Sequence, residues 1–410
     1  MKQELLEKYA KLIVVKGANV QPGQYVVINA PVHAADFAKL CVKYAYEAQA
    51  SYVELRYNDD ELSKLHYQYA NVDKLCEVPQ WMLDRTQYAI DNQYCVIHII
   101  SEIPHLFDDI DSELMAKVNI ARRKAFKPYQ YYTMNNIGQW TIAAYPSHAW
   151  ATKLFPDLNA DQAWETLFIK ILETVRVDQE HDPVALWQVH NQKLIDHCRL
   201  MNDYNFASLH FTNSVGTDLH VGLVKGHIWQ GGQDLTPKGV AFNPNMPTEE
   251  IFTMPDCYNV NGKVVATLPL SHDGKLFEDF SFTFKDGKII EFDSRTEKEF
   301  LGKILNMDEG SSRIGEVALI SYDSPISNQQ ILYYNTLFDE NASCHLALGA
   351  CYPTNIKDGE NMDEKTLLEH GGNSSMNHID FMFGSKDMNI VGTTYDGQQI
   401  QIFKDGNFCI

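Results

Sequence analysis

The sequence predicts an α/β chain in two parts: an N-terminal α/β domain with a mainly parallel sheet, residues 1–183, and a C-terminal α+β domain rich in antiparallel strands, residues 184–410. Three observations carry this. Short apolar strands alternate with helical stretches through the first part, the rhythm of parallel βαβ units. From Phe206 onward the period drops to two and Asn-Gly or Asp-Gly pairs punctuate it, which marks antiparallel hairpins. The C-terminal part also gathers carboxylates and histidines inside apolar or glycine-marked segments, an unusual setting for groups that rarely enter an interior unpaired.

Residues 23–57 read as one βαβ unit: a strand Tyr25–Asn29, an alanine-rich helix His33–Gln49 and a strand Tyr52–Tyr57. Helices near Glu61–Tyr69 and Trp81–Asn92 lead to a buried strand Tyr94–Ser101; a helix near Ser112–Lys127 leads to a strand Gln139–Tyr145. No GxGxxG turn accompanies them, so a dinucleotide site is not expected. Helices Ala160–Arg176 and Val184–Met201 bridge to the second part. There, hairpin turns are expected at Asn261-Gly262, Asp273-Gly274, Asp286-Gly287, Asp396-Gly397 and Asp405-Gly406, with a helix at Arg295–Leu305 and a second beginning near Asn341. The acidic stretch Lys357–Glu369 reads as an exposed loop or short helix.

The chain of 410 residues carries 34 basic and 54 acidic side chains, a net charge of −20 that repels phosphate backbones and anionic lipid heads. Nucleic acid and membrane surfaces are therefore poor partners. Eight cysteines without a CxxC pair read as reduced thiols in a cytoplasm. No GxSxG elbow points to a serine hydrolase.

Six residues stand out as a metal-ligating set: Glu250, Glu316, Glu340, His345, His378 and Asp380. Four carboxylates, about −4, match the charge of two divalent cations with imidazole and oxygen ligands. In a strand Asn377–Gly384, His378 and Asp380 point to one face while Ile379, Phe381 and Phe383 point to the other. Glu316 enters a buried-looking strand, where it needs a cation or several donors; the plainer alternative is a strand-start pair with Arg313. A helix over Ala342–Cys351, capped by Asn341 or Ser343, would put His345 and Tyr352 on one face two turns apart. Between Glu249 and Glu250 the local pattern does not choose.

Several long blocks occur in order along the whole chain: PGQYVVINAP, Tyr145-Pro146-Ser147 with Trp150-Ala151, Gly216-Thr217-Asp218-Leu219 with Gly231-Gly232, PTEEIFTMP, RIGEVALI, FDENASCHLALGACY and NHIDFMFGS. Together they resemble the metal-dependent aminopeptidase family of aminopeptidase T and PepS (AmpS-like); ENASCH departs from it only by a cysteine where the family tolerates small residues. The resemblance selects Glu250 over Glu249 and implies two bound metals with Glu316 between them and Tyr352 beside them. It also implies a homodimer with a shielded chamber.

The expected function is hydrolysis of N-terminal residues from oligopeptides with a free N-terminus, using two divalent ions (zinc, cobalt, manganese or magnesium) about 3.5 to 4 Å apart with a water between them. Glu316 is a ligand too committed to shuttle protons, and Tyr352 is the expected oxyanion donor. The alternative is a dinuclear amidohydrolase acting on non-peptide amides or acyl amino acids. A non-catalytic protein holding one structural ion is disfavoured by the mostly carboxylate ligand set.

Overall fold

The computed structural model describes residues 2–272 and 275–410. They group into two compact units, Met1–Val189 with Gln233–Pro247, and His190–Gly232 with Thr248–Ile410. The chain passes from the first to the second within the helix Pro183–Tyr204.

The first unit is built on a five-stranded, all-parallel sheet in the order Asn245–Met246, Trp140–Ala144, Cys95–Ile100, Tyr25–Pro31, Tyr52–Asn58. Its central strands, YVVINAP and CVIHII, are near-continuous apolar runs broken by Asn29 and His98, because both faces of a parallel sheet are covered. The helix Ala35–Glu47 supplies the first crossover and buries Phe37, Ala38, Cys41 and Ala45. All four anticipated strands are present; the fifth, two residues from far along the chain, is too short to leave a pattern.

The second unit holds a five-stranded and an eight-stranded sheet. The larger runs Lys288–Asp293, Ser281–Lys285, Pro255–Val265, Asp218–Leu223, Phe206–Thr212, Asn389–Thr394, Gln399–Lys404, Asn407–Phe408, with every pairing antiparallel. Phe282, Phe284, Phe381, Leu346 and Leu348 join residues of both sheets in one apolar core.

Turns at Asp286-Gly287, Asp396-Gly397 and Asp405-Gly406 join consecutive strands as expected, and these glycines have φ of 77°, 85° and 75°. Asp273-Gly274 lies outside the described residues. Asn261-Gly262 is no turn: it lies inside the strand Pro255–Val265. Gly262 is there because its φ of 115° disfavours a side chain and a Cβ would stand 2.2 Å from the Asp218 carbonyl oxygen. Gly262→Ala should cost more than about 1 kcal/mol, read as a lower denaturant midpoint; an unchanged midpoint would show that the strands can part there.

A second correction concerns the segment around Asn341. It is a short helix Thr336–Asp339 and a 3₁₀ turn Glu340–Ala342, followed by a strand, His345–Gly349, instead of a longer helix. A five-residue apolar run carries no decisive period. Here a place between two partner strands decides: His345–Gly349 pairs with Ile314–Leu319 on one side and His378–Met382 on the other, fully buried.

Candidate metal centre

The smaller sheet of the second unit runs His378–Met382, His345–Gly349, Ile314–Leu319, Ile251–Thr253, Gln230–Gly231. Register puts Glu316 opposite Ala347, and Ala347 opposite Asp380, so three adjacent strands place these residues in one row on one face. A second row holds Phe252, Ala318, His345 and Met382, and a third brings Gly349 beside His378. The small Ala318, Ala347 and Gly349 leave room above the sheet for the longer polar groups between them. On the opposite face Val317, Leu319, Leu346, Leu348, Ile379 and Phe381 enter the core.

One irregularity aims Glu316. Pairing with His345–Gly349 shifts by a residue between Ile314 and Glu316, a β-bulge at Gly315. Ile314 and Val317, three positions apart, can then both face the core while Glu316 faces away from it. A Cβ on Gly315 would lie 2.3 Å from the Gly349 carbonyl oxygen and 2.4 Å from that of Ala350, so the bulge requires glycine.

The expected residues converge. His345 Nε2 lies 3.2 Å from Glu250 Oε2 and 3.4 Å from Glu316 Oε1. His378 Nε2 lies 3.6 Å from Glu316 Oε2 and 3.5 Å from Asp380 Oδ1. Two triads result, Glu250–Glu316–His345 and Glu316–His378–Asp380, and within each the possible ligand atoms lie within 4.8 Å of one another. Glu340 belongs to neither triad but is charge-coupled to Asp380, Glu250, His345 and Glu316. Arg313 is turned elsewhere: its guanidinium donates to the Cys257 and Asp286 carbonyls and stacks over Tyr258. Glu249 lies 3.8 Å from His190 and is a member of neither triad.

Three features fit a metal. The Nδ1 atoms of His345 and His378 meet the backbone carbonyls of Glu340 at 3.0 Å and Ala350 at 2.8 Å. Such a bond places the Nδ1 proton and leaves Nε2, aimed at the carboxylates, free to ligate. Asp380 Oδ1 is buried without a hydrogen-bond donor. The mixed imidazole and carboxylate donor set suits divalent ions.

The electrostatics point the same way. Burial, reinforced by Asp380 and Glu250, pushes Glu340 well above the usual carboxylate range, and burial also raises Glu316 against the pull of His345. Burial alone would lower both histidines, yet Glu250 and Glu316 carry His345 well above its ordinary value, and Asp380 and Glu316 raise His378 to about 10. Asp380 is resisted by burial and still held below its ordinary value by His378. Protons thus supply positive charge that this pocket of carboxylates requires.

Tyr352 follows the strand His345–Gly349 and still reaches the site, by a different route from the helical one expected. Its ring tilts against His378 at 4.8 Å and meets the edge of Phe252 at 6.0 Å. Burial and then Glu316, Asp380, Glu340 and Glu250 raise its phenol well above the ordinary value. Asn341, expected as a helix cap, acts across loops: its side chain accepts from the Glu249 amide at 2.8 Å and donates to the Leu337 carbonyl at 3.1 Å, clamping the Glu250 loop to the Glu340 turn. Burial pushes the Cys344 thiol up to about 11, in keeping with a core residue.

The thermophilic metalloprotease (M29) family model matches residues 2–408. The chain belongs to that family. It is similar to aminopeptidase AmpS of Bacillus subtilis (strain 168), 41% identical over 403 residues with 98% of each chain covered. Aminopeptidase PepS of Streptococcus thermophilus is 39% identical over 409 residues, covering 100% of this chain and 98% of PepS. The solved structure of wild-type AmpT from Thermus thermophilus superposes with a TM-score of 0.94 at 33% identity, covering 100% of both chains. Membership in this family implies a divalent metal, and the candidate ligand groups above are present to receive one. Among the described residues no helix is long and apolar enough to cross a membrane.

Proposed function

We propose that this chain is a metal-dependent aminopeptidase that removes N-terminal residues from peptides with two divalent ions. One observation carries the two-ion reading: the oxygens of Glu316 are divided, Oε1 toward His345 and Oε2 toward His378, so one carboxylate serves two triads. Glu250 and His345 would hold one ion, His378 and Asp380 the other, with Glu316 shared and Glu340 adding negative charge beside them. Bound there, zinc, cobalt, manganese or magnesium supplies an activated water and Lewis acidity toward the scissile carbonyl.

The chain's own groups complete the chemistry. Tyr352 keeps its proton and donates a hydrogen bond to the oxyanion that develops on the carbonyl oxygen. Glu316, its lone pairs committed to both sides, is not the proton shuttle. The surrounding carboxylates attract a peptide's cationic N-terminus, an effect that salt weakens. The same reading carries a cytoplasmic homodimer, which size-exclusion chromatography and fractionation check.

The test compares a peptide bearing a free N-terminus with its N-acetylated form. Turnover of the free peptide alone is expected, abolished by chelation and restored by divalent metal. Hydrolysis of the acetylated peptide at a similar rate would instead indicate an amidohydrolase of acyl amino acids.

Metal removal should also change the pH dependence of stability. With His345 and His378 raised in the folded, metal-free chain, their stabilising protons are fully present below the unfolded value of 6.5; that stability is lost as pH rises toward about 10 for His378. Glu316 and Glu340, raised from 4.5, also lose protons with rising pH and act in the same direction. Metal binding has the opposite slope, because it needs neutral imidazoles. Chelated protein should therefore show a melting temperature that falls between pH 6.5 and 10, while metal-loaded protein resists the fall. Parallel curves would mean that metal and protons do not share these histidines.

A further inference from the structure

A second set of metal-ligating side chains lies in the eight-stranded sheet and shares no residue with the first. His210, in the strand Phe206–Thr212, sits directly opposite His220, in the strand Asp218–Leu223. The two imidazoles stack with centroids 3.8 Å apart and planes 8° from parallel. Asp218, two residues before His220 and so on the same face, has Oδ1 2.7 Å from His210 Nε2. One ligand atom from each of the three lies within 4.8 Å of the other two.

Alternation fixes their outward direction. Leu209, Phe211, Leu219 and Val221, the intervening residues of both strands, are buried in the core, which sends His210, Asp218 and His220 to the solvent side. Both strands are interior to the sheet, flanked by Pro255–Val265 and Asn389–Thr394, so their spacing is set by ladders on each side.

We propose that His210, Asp218 and His220 form a solvent-open site for an imidazole-preferring divalent transition-metal ion such as zinc, nickel or copper(II). Two imidazoles and a carboxylate are a common three-ligand set for zinc, with water completing the tetrahedron. Ligand atoms around such an ion, bonded at about 2.0 Å, stand roughly 3.3 Å apart. The contact between Asp218 and His210 must therefore open by a few tenths of an ångström, which the exposed Asp218 side chain can do by rotation. A cation held there ties two adjacent strands together through their side chains.

The test uses untagged enzyme already loaded with its divalent metal, titrated with zinc by calorimetry. One further equivalent is expected for the wild-type chain. His210→Gln and His220→Gln should each weaken that equivalent by at least about tenfold while leaving peptide hydrolysis unchanged, which also shows that the variants are folded. Copper(II) added in place of zinc should give an electron paramagnetic resonance signal with coupling to two imidazole nitrogens. A wild-type chain that takes no further equivalent, or variants that bind it as tightly as wild type, would overturn the proposal.

Discussion

Glu316→Gln is expected to abolish both peptide hydrolysis and metal retention while the second unit stays folded. The glutamate oxygens face different histidines at 3.4 and 3.6 Å, so the carboxylate is the one group common to both triads. An amide of the same shape offers one oxygen and one NH₂, and the NH₂ has no lone pair for a cation. One triad loses a ligand, the pocket loses a negative charge, and the site is left to compete for metal with weaker donors. The loss in kcat/KM should exceed the roughly 10²- to 10³-fold expected for removing one transition-state hydrogen bond.

The fold should survive this change because the core neighbours in the same strand, Ile314, Val317 and Leu319, face the other way. Burial disfavours the Glu316 carboxylate, which offsets the loss of its pull on the His345 and His378 protons when it is neutralised in the metal-free chain. Circular dichroism with elemental analysis and a peptide assay separates the outcomes. A folded variant that keeps both metal and full activity would end the shared-ligand reading.

Much of the architecture was legible because parallel strands buried on both faces must be mainly apolar, as Tyr25–Pro31 and Cys95–Ile100 are apart from Asn29 and His98, which meet side chain to side chain. The pair His378 and Asp380 was legible for a related reason: period-two alternation with Ile379 and Phe381 leaves only one face for them. His345 was expected at the site, but on an element of the wrong type. Its strand, HLALG, is short and buried on every side, and such a run is apolar whether it coils or extends. Pairing with two distant strands determines the outcome, and no local window contains them.

Register and bulges were the other hidden layer. That Glu316, Ala347 and Asp380 form a row follows from which residues face one another across three strands. Gly315 is a lone glycine in RIGEVALI, yet its missing side chain permits the bulge that turns Glu316 away from the core. In the same way Asn261-Gly262 has the composition of a hairpin turn but serves close strand approach. The choice of Glu250 over Glu249 had no local signal; in the structure Glu250 Oε2 stands 3.2 Å from His345 Nε2.

Tyr352→Phe is expected to lower kcat by about 100- to 1000-fold, the range for removing a hydrogen-bond donor to a tetrahedral oxyanion, with KM little changed. The substitution keeps the ring that packs against His378 and Phe252, so the metal ligands should hold their positions and metal content should stay at the wild-type level. The phenol is raised well above its ordinary value by burial and by four carboxylates, which makes it a donor across the neutral range and excludes it as a general base there. Loss of the hydroxyl should therefore lower the whole neutral part of the pH–rate profile without moving its inflections. If kcat is unchanged, Tyr352 only supports His378; if an inflection disappears, it carries a proton during turnover and the division of labour with Glu316 must be redrawn.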